Sequence, residues 1–139
     1  PHPGEMARLI GCATEDVQAN RVGVASEFAA RHAVTVVLKG YRTIIATPAG
    51  EVFVNPTGSP GMATPGSGDV LTGMLAAALA QLLDPVTACQ LAVYLHGAAG
   101  ELAEADEGEM SMVAGDIVSH IGDAAQELTG REHPATAGE

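Results

Sequence analysis

The sequence predicts an α/β fold, and three observations carry that reading. Val34–Leu38, Thr43–Thr47 and Val52–Asn55 are short β-branched runs separated by turn residues. Ala- and Leu-rich stretches with helical periodicity lie on either side of them. The composition is 47% hydrophobic with only 3% aromatics and no Trp. The core is therefore built from Ala, Val, Leu and Ile, which suits helices packed closely on a parallel sheet. At 139 residues the chain is long enough for one domain with one sizeable core.

Taken in order, Pro3-Gly4-Glu5-Met6 opens a short helix, with proline and an acid in its first turn. Thr14 is the expected N-cap of the next helix, followed by Glu15 and Asp16. Val17, Val24 and Phe28, backed by Val22, Ala25 and Ala29, extend that helix to about His32. The first strand follows. Lys39-Gly40-Tyr41-Arg42 turns the chain into the second, and Pro48-Ala49-Gly50 turns it into the third, so the last two strands read as a hairpin. Residues 56–69 form a long loop rich in Gly and Pro, and loops of this length inside a compact domain are usually functional. The loop runs into a helix with Leu71, Leu75, Ala78, Leu79 and Leu82 on one face. Asp84-Pro85 supplies an N-cap and an N1 proline for a helix to about Ala105. Asp106, Glu107 and Glu109 make a solvated break, and a last helix covers roughly 114–128. Residues 129–139 are a polar tail expected to fray. Three short strands are few for so many apolar helices. Either the chain oligomerises or further strands precede it, and the opening residue, Pro1, predicts a piece of something longer.

Charge narrows the possible functions. Six Lys+Arg against 17 Asp+Glu leave a formal net charge of -11, which repels phosphate backbones and excludes general nucleic-acid binding. A phosphorylated small molecule can still be held locally, by backbone N–H groups and one or two cations. Cys12 and Cys89 share no metal-ligand spacing, and Cys89 lies in an apolar helical run, so a reducing cytoplasm is the expected compartment. Val70–Leu83 is apolar but shorter than the roughly 20 residues a membrane span needs. No membrane association is expected.

The strongest chemical signal is Gly66-Ser67-Gly68-Asp69 at the mouth of a helix. Glycines let N–H groups converge on an anion, and the helix start adds unpaired donors and about half a positive charge. An acid there repels a phosphate, so Asp69 makes sense as a general base that deprotonates a hydroxyl attacking phosphorus. The alternative is a flexible loop ending in an N-cap aspartate. No Lys-Ser/Thr follows the glycines, so this is not a P-loop, and the third glycine of a dinucleotide fingerprint is missing. Lys39 and Arg42 stand together and are two of only six basic residues, which leaves phosphate contact and a merely solvated turn both open. His96, within an apolar helix, reads as a core histidine.

The longer string Asn55-Pro56-Thr57-Gly58-Ser59-Pro60-Gly61-Met62-Ala63, continuing through Asp69-Val70-Leu71, resembles a signature of the NAD(P)H-hydrate dehydratases, members of the ribokinase-like superfamily. Pro1-His2-Pro3-Gly4-Glu5-Met6 resembles a second signature, Val37–Thr43 a third, and Tyr94-Leu95-His96-Gly97 fits the helix beyond the active site. The four segments occur in family order and cover most of residues 1–128, which form the expected domain. The resemblance implies a ribokinase-like three-layer α/β/α fold, of which this chain is the C-terminal half. It further implies nucleotide-dependent return of NAD(P)H hydrate to NAD(P)H, through phosphorylation of the hydrate hydroxyl and loss of phosphate. ADP or ATP is the implied donor, Mg²⁺ the accompanying ion, and a homo-oligomer, tetrameric in the family, the implied assembly.

Carried over by position, Asp69 is the catalytic base. Gly66, Ser67 and Gly68 form the anion hole, with Gly68 also near the nucleotide. Lys39, Gly40, Tyr41, Arg42 and Thr43 contact the nucleotide, and His2, with Asp69, contacts the hydrated dinucleotide. Two departures stand out. Pro65 replaces a usual glycine and removes one possible N–H donor, and the family's N-terminal portion is not in the sequence. Two other readings remain. One is a ribokinase-like kinase acting on a vitamin precursor, which shares Gly-x-Gly-Asp but not the Asn55–Ala63 run; the other is an inactive nucleotide-binding fragment.

Overall fold

The computed structural model describes residues 1–81 and 84–130. The expected face residue Leu82 and most of the expected tail lie outside the described residues. The element order is α1 (Pro3–Ile10), α2 (Thr14–Ala19), α3 (Arg21–His32), β1 (Val36–Leu38), β2 (Ile44–Ala46), β3 (Val52–Val54), a 3₁₀ turn (Pro60–Met62), α4 (Ser67–Gln81), α5 (Pro85–Glu107) and α6 (Ala114–Thr129).

The strands form one sheet in the order β1-β2-β3. Leu38 pairs with Ile44 and Ile44 with Val54, so both pairings are antiparallel. The hairpin expected of the last two strands is β2–β3, and the parallel sheet suggested by composition is corrected. Residues 39–43 and 47–51 are the only connections, and a parallel crossover needs a dozen residues or more. The strands are apolar on both faces for another reason: helices cover both. Val36, Leu38, Ile44 and Ala46 point to one side and join Met6, Ala7, Val17, Ala25 and Ala29 of α1–α3. Ile45, with Val37 and Phe53, points to the other and meets Leu71, Cys89 and Val93 of α4 and α5. The period-2 alternation therefore builds a three-layer α/β/α sandwich, with β2, buried at every position, at its centre. Fully buried side chains such as Met6 and Leu38 each contribute about 1.5–3 kcal/mol of transfer free energy. A further cluster, with Ala99, Ala103, Met112, Ile117 and Ala124, locks α6 against α5.

The expected continuous helix from residue 14 to 32 is two helices. Asn20 breaks it with φ -144° and ψ 55°, and its side-chain carbonyl accepts the Gly23 N–H at 3.1 Å, starting α3 afresh. Thr14 is the first helical residue rather than the cap; the Asp16 carboxylate accepts the Ala13 N–H at 3.3 Å. Val17 and Phe28 still reach the core because the break preserves their face. On α4, Leu71 is buried but Leu79 is 45% exposed, so the expected apolar face is only partly covered by the described residues. No helix among the described residues is long and apolar enough to cross a membrane.

Candidate functional site

A cleft of about 760 Å³ opens where the end of β1, the residues after β3 and the start of α4 meet α5. Its size falls within the range of small-molecule sites. Lys39, Gly40, Tyr41, Arg42, Thr43, His2, Ser67 and Gly68, all expected site residues, line it. Gly66 and Asp69 do not. Asp69 stands exposed on the first turn of α4, paired with no cation among the described residues. Gly66 has φ +89°, a backbone that favours glycine, and its Cα hydrogens face Ala114 at the start of α6.

The start of α4 uses most of its own donors. Ser67 N–H returns to Thr64 O at 3.3 Å, and those of Asp69 and Val70 both return to Gly66 O, at 3.0 and 3.1 Å. Among the described residues the Gly68 N–H has no backbone acceptor. Directly against Gly68 stands the Lys39 ammonium: a Cβ on residue 68 would lie 3.0 Å from Nζ. A bare helix-terminal glycine and a cation thus meet at the cleft wall, an arrangement suited to an anion. Lys39 also reaches Glu5 Oε2 at 3.7 Å.

His2 has a structural task beside any ligand contact. It is the N-cap of α1, its Nδ1 accepting from Gly4 and Glu5 N–H at 3.1 and 3.3 Å. Its own N–H donates to Glu5 at 2.6 Å, and that bond holds the Glu5 carboxyl below its ordinary pKa.

Several cleft residues were not singled out as site residues in the sequence. Asn55, buried, donates to Thr57 O at 2.9 Å, and the Thr57 hydroxyl donates to Tyr94 O at 2.8 Å. Two α5 carboxylates hold the loop further on: Glu101 accepts the Gly58 N–H at 2.8 Å and Glu104 the Gly61 N–H at 2.7 Å. Gly97 and Gly100 let this loop lie on the α5 backbone, facing Thr57 and Met62 respectively. Two glycines three residues apart inside a helix were a legible signal, since they lower helix propensity and mark close approach.

His96 is buried, as the sequence reading held, and it also lines the cleft. Its Nε2 lies 3.0 Å from Ser67 O, and a carbonyl only accepts, so Nε2 carries the proton and donates. Burial, aided by the Lys39 charge, lowers the His96 pKa against the raising effect of the Ser67 bond. The folded state therefore binds this proton less readily than the unfolded chain. Stability from neutral His96 is complete above the ordinary value of 6.5 and is lost as pH falls through that value toward the lower folded one. His120, bonded to Asp116 O and Asp106, has a raised pKa and the opposite sign, its stabilisation fading as pH rises. Urea midpoints measured between about pH 7 and pH 5 should fall less steeply in His96→Asn than in the parent chain. Equal slopes would remove His96 from this role.

The structural relatives give the class. A ribokinase-like superfamily protein from Enterococcus faecalis superposes with a TM-score of 0.67 at 31% identity, over 96% of this chain and 44% of its own. The described residues form part of a ribokinase-like α/β/α domain. Within that class the chain belongs to the NAD(P)H-hydrate dehydratase family, whose profile matches residues 1–122. It is 50% identical, over 121 residues, to the bifunctional NAD(P)H-hydrate repair enzyme Nnr of Moorella thermoacetica, a match covering 87% of this chain and 23% of that protein. The ADP/ATP-dependent NAD(P)H-hydrate dehydratase of Bacillus subtilis, co-crystallized with ATP and Mg²⁺, superposes with a TM-score of 0.89 at 38% identity, over 92% of this chain and 46% of its own. The chain thus spans under half the length of these relatives.

Proposed function

We propose that the chain carries the phosphate-handling side of a NAD(P)H-hydrate dehydratase site. The observation that carries this reading is the Lys39 ammonium standing against Gly68 at the start of α4, on the wall of a cleft of nucleotide-compatible size. The terminal phosphate of ADP or ATP is held between that cation and the Gly68 N–H. Gly40, Tyr41, Arg42 and Thr43 carry the rest of the nucleotide. Gly66 and Ser67 set the backbone of the phosphate turn. His2 meets the hydrated dinucleotide across the cleft, and Asp69, next in the chain after the lining residue Gly68, takes the proton of the hydrate hydroxyl.

The reaction balances in two steps. The hydrate oxygen forms a bond to phosphorus as the bond from phosphorus to the nucleotide oxygen breaks, releasing AMP from ADP or ADP from ATP. The ring carbon–oxygen bond then breaks with phosphate leaving, the neighbouring carbon gives up a proton, and the ring double bond returns. Among the described residues no three His, Cys, Asp or Glu side chains converge as a metal cage. Magnesium, commonly held by one or two carboxylates, water and the nucleotide's own phosphates, would enter with the nucleotide. When bound it neutralises charge on the transferring group.

The test uses the full-length protein with hydrated NADH and ADP, then ATP. Return of the NADH absorbance band with stoichiometric phosphate release is the expected result. Phosphorylation of a vitamin alcohol without NADH recovery supports the kinase reading, and ADP binding without turnover supports the inactive fragment; either outcome overturns the dehydratase.

A further inference from the structure

Arg21, the first residue of α3, is a cation with no carboxylate partner among the described residues, in a chain with only six Lys+Arg. Its guanidinium is spent on backbone carbonyls. Nη1 donates to Tyr41 O at 2.6 Å, and Nη2 donates to Leu38 O at 3.3 Å and Lys39 O at 3.4 Å. Nε is buried with no hydrogen-bond partner among the described residues. The three carbonyls bracket the turn between β1 and β2, whose side chains line the cleft. Gly40, at the apex, has φ +137°, and a Cβ there would meet Nη2 at 3.2 Å, so the turn is moulded around the guanidinium.

We propose that Arg21 is the positioning residue of the nucleotide turn: its fork fixes residues 38–41 so that Lys39 is presented to Gly68 and the turn meets the phosphates in a preset shape. Three observations support this role. The turn contains two left-handed residues, Gly40 and Arg42, and so needs an external restraint to hold it. A rigid planar fork spans carbonyls on both limbs of the turn in one fixed geometry, which a compact, rotating ammonium matches less well. A salt bridge would tie the guanidinium to a carboxylate, whereas here every paired donor goes to the turn itself. Burial lowers the Arg21 pKa, consistent with a charge drawn partly out of water for this purpose.

This inference rests on the nucleotide reading of the cleft but not on the dehydration chemistry, so ADP binding tests it separately from turnover. Calorimetry with ADP on the full-length protein is the readout, with KM for ADP and for hydrated NADH measured in parallel. Arg21→Met is expected to weaken ADP binding about tenfold or more, with KM for the hydrate within about twofold of the parent. Arg21→Lys should recover only part of the loss. Gly40→Ala, which presses a methyl on the same guanidinium, should weaken ADP similarly. Arg31→Met, which removes a surface pair with Glu27 on the same helix, is the control and should leave ADP affinity unchanged. ADP affinity within about twofold of the parent in both Arg21 variants overturns the proposal, as does an equal loss of ADP and hydrate affinity. If Arg21→Met does not fold, Arg21→Lys decides alone, and parent-like ADP affinity in it overturns the role. If the parent binds ADP but does not dehydrate the hydrate, the dehydratase reading fails while the binding comparison stands.

Discussion

Asp69→Asn in the full-length protein is expected to cut turnover by about 10²–10⁴-fold while leaving ADP affinity equal or slightly improved. The asymmetry follows from where the residue sits. Asp69 lies on the first turn of α4, next to the glycine that faces the Lys39 ammonium. A carboxylate there works against a bound phosphate, so removing its charge does not weaken the nucleotide. Asparagine keeps the shape but cannot take up a proton at the pH of the assay. The fold should hardly notice: Asp69 is exposed, and losing an acid from a helix start costs under about 1 kcal/mol. Steady-state rates with hydrated NADH and ADP, beside a melting curve, separate the two effects. Turnover within about tenfold of the parent would remove Asp69 from the base role and leave the exposed carboxylate as a helix-start charge.

Gly97→Ala should be destabilising, by about 1–3 kcal/mol, even though alanine is the better helix former. Intrinsic propensity favours the substitution by about 1 kcal/mol. Against it, a Cβ on residue 97 would lie 2.7 Å from the Thr57 backbone carbonyl carbon and closer still to the Thr57 hydroxyl. Backbone cannot swing aside as a flexible side chain can, so the loop must lift from α5. That strains the bonds of Thr57 to Tyr94 O and of Asn55 to Thr57, each contributing about 1 kcal/mol. Thr57 lines the cleft, so a displacement of about 1 Å should also reduce turnover on the order of 10²-fold. Gly73→Ala is the matched comparison. Gly73 lies within α4 with none of the described residues within 4 Å of its Cβ position, and the same change there should stabilise by about 0.5–1 kcal/mol. Denaturant midpoints moving in opposite directions would support the packing of loop on helix; a parallel rise would contradict it.

The helices and strands were legible from periodicity and caps because those signals are local. Pro85 after Asp84 marked α5, and the Asp84 side chain does accept the Val86 and Thr87 N–H groups. Lys39 and Arg42 stood out by scarcity of positive charge, and the string from Asn55 to Leu71 pointed to the family. Other features were hidden because they depend on partners distant in the chain. The hairpin of the last two strands was legible from its turn, whereas composition pointed to a parallel sheet because apolar strands result from two covered faces, whatever the direction. The break at Asn20 was overlooked because Val17 and Phe28 keep one helical face through it. Arg21 drew no notice inside the expected helix from 14 to 32, since its partners lie 17 to 20 residues away. Glu101 and Glu104 were passed over because their partners, the N–H groups of Gly58 and Gly61, lie 43 residues away.

The sequence by itself determined the mix of helices and strands, the glycine-rich turn into α4 and the identity of the scarce cations, because each depends on residue type and near neighbours. Only the tertiary structure decided that Lys39 meets Gly68, that His96 donates to Ser67, and that Asp69 lies outside the cleft lining. Those outcomes depend on how β1, α4 and α5 pack, and packing is set by the summed burial of residues far apart along the chain.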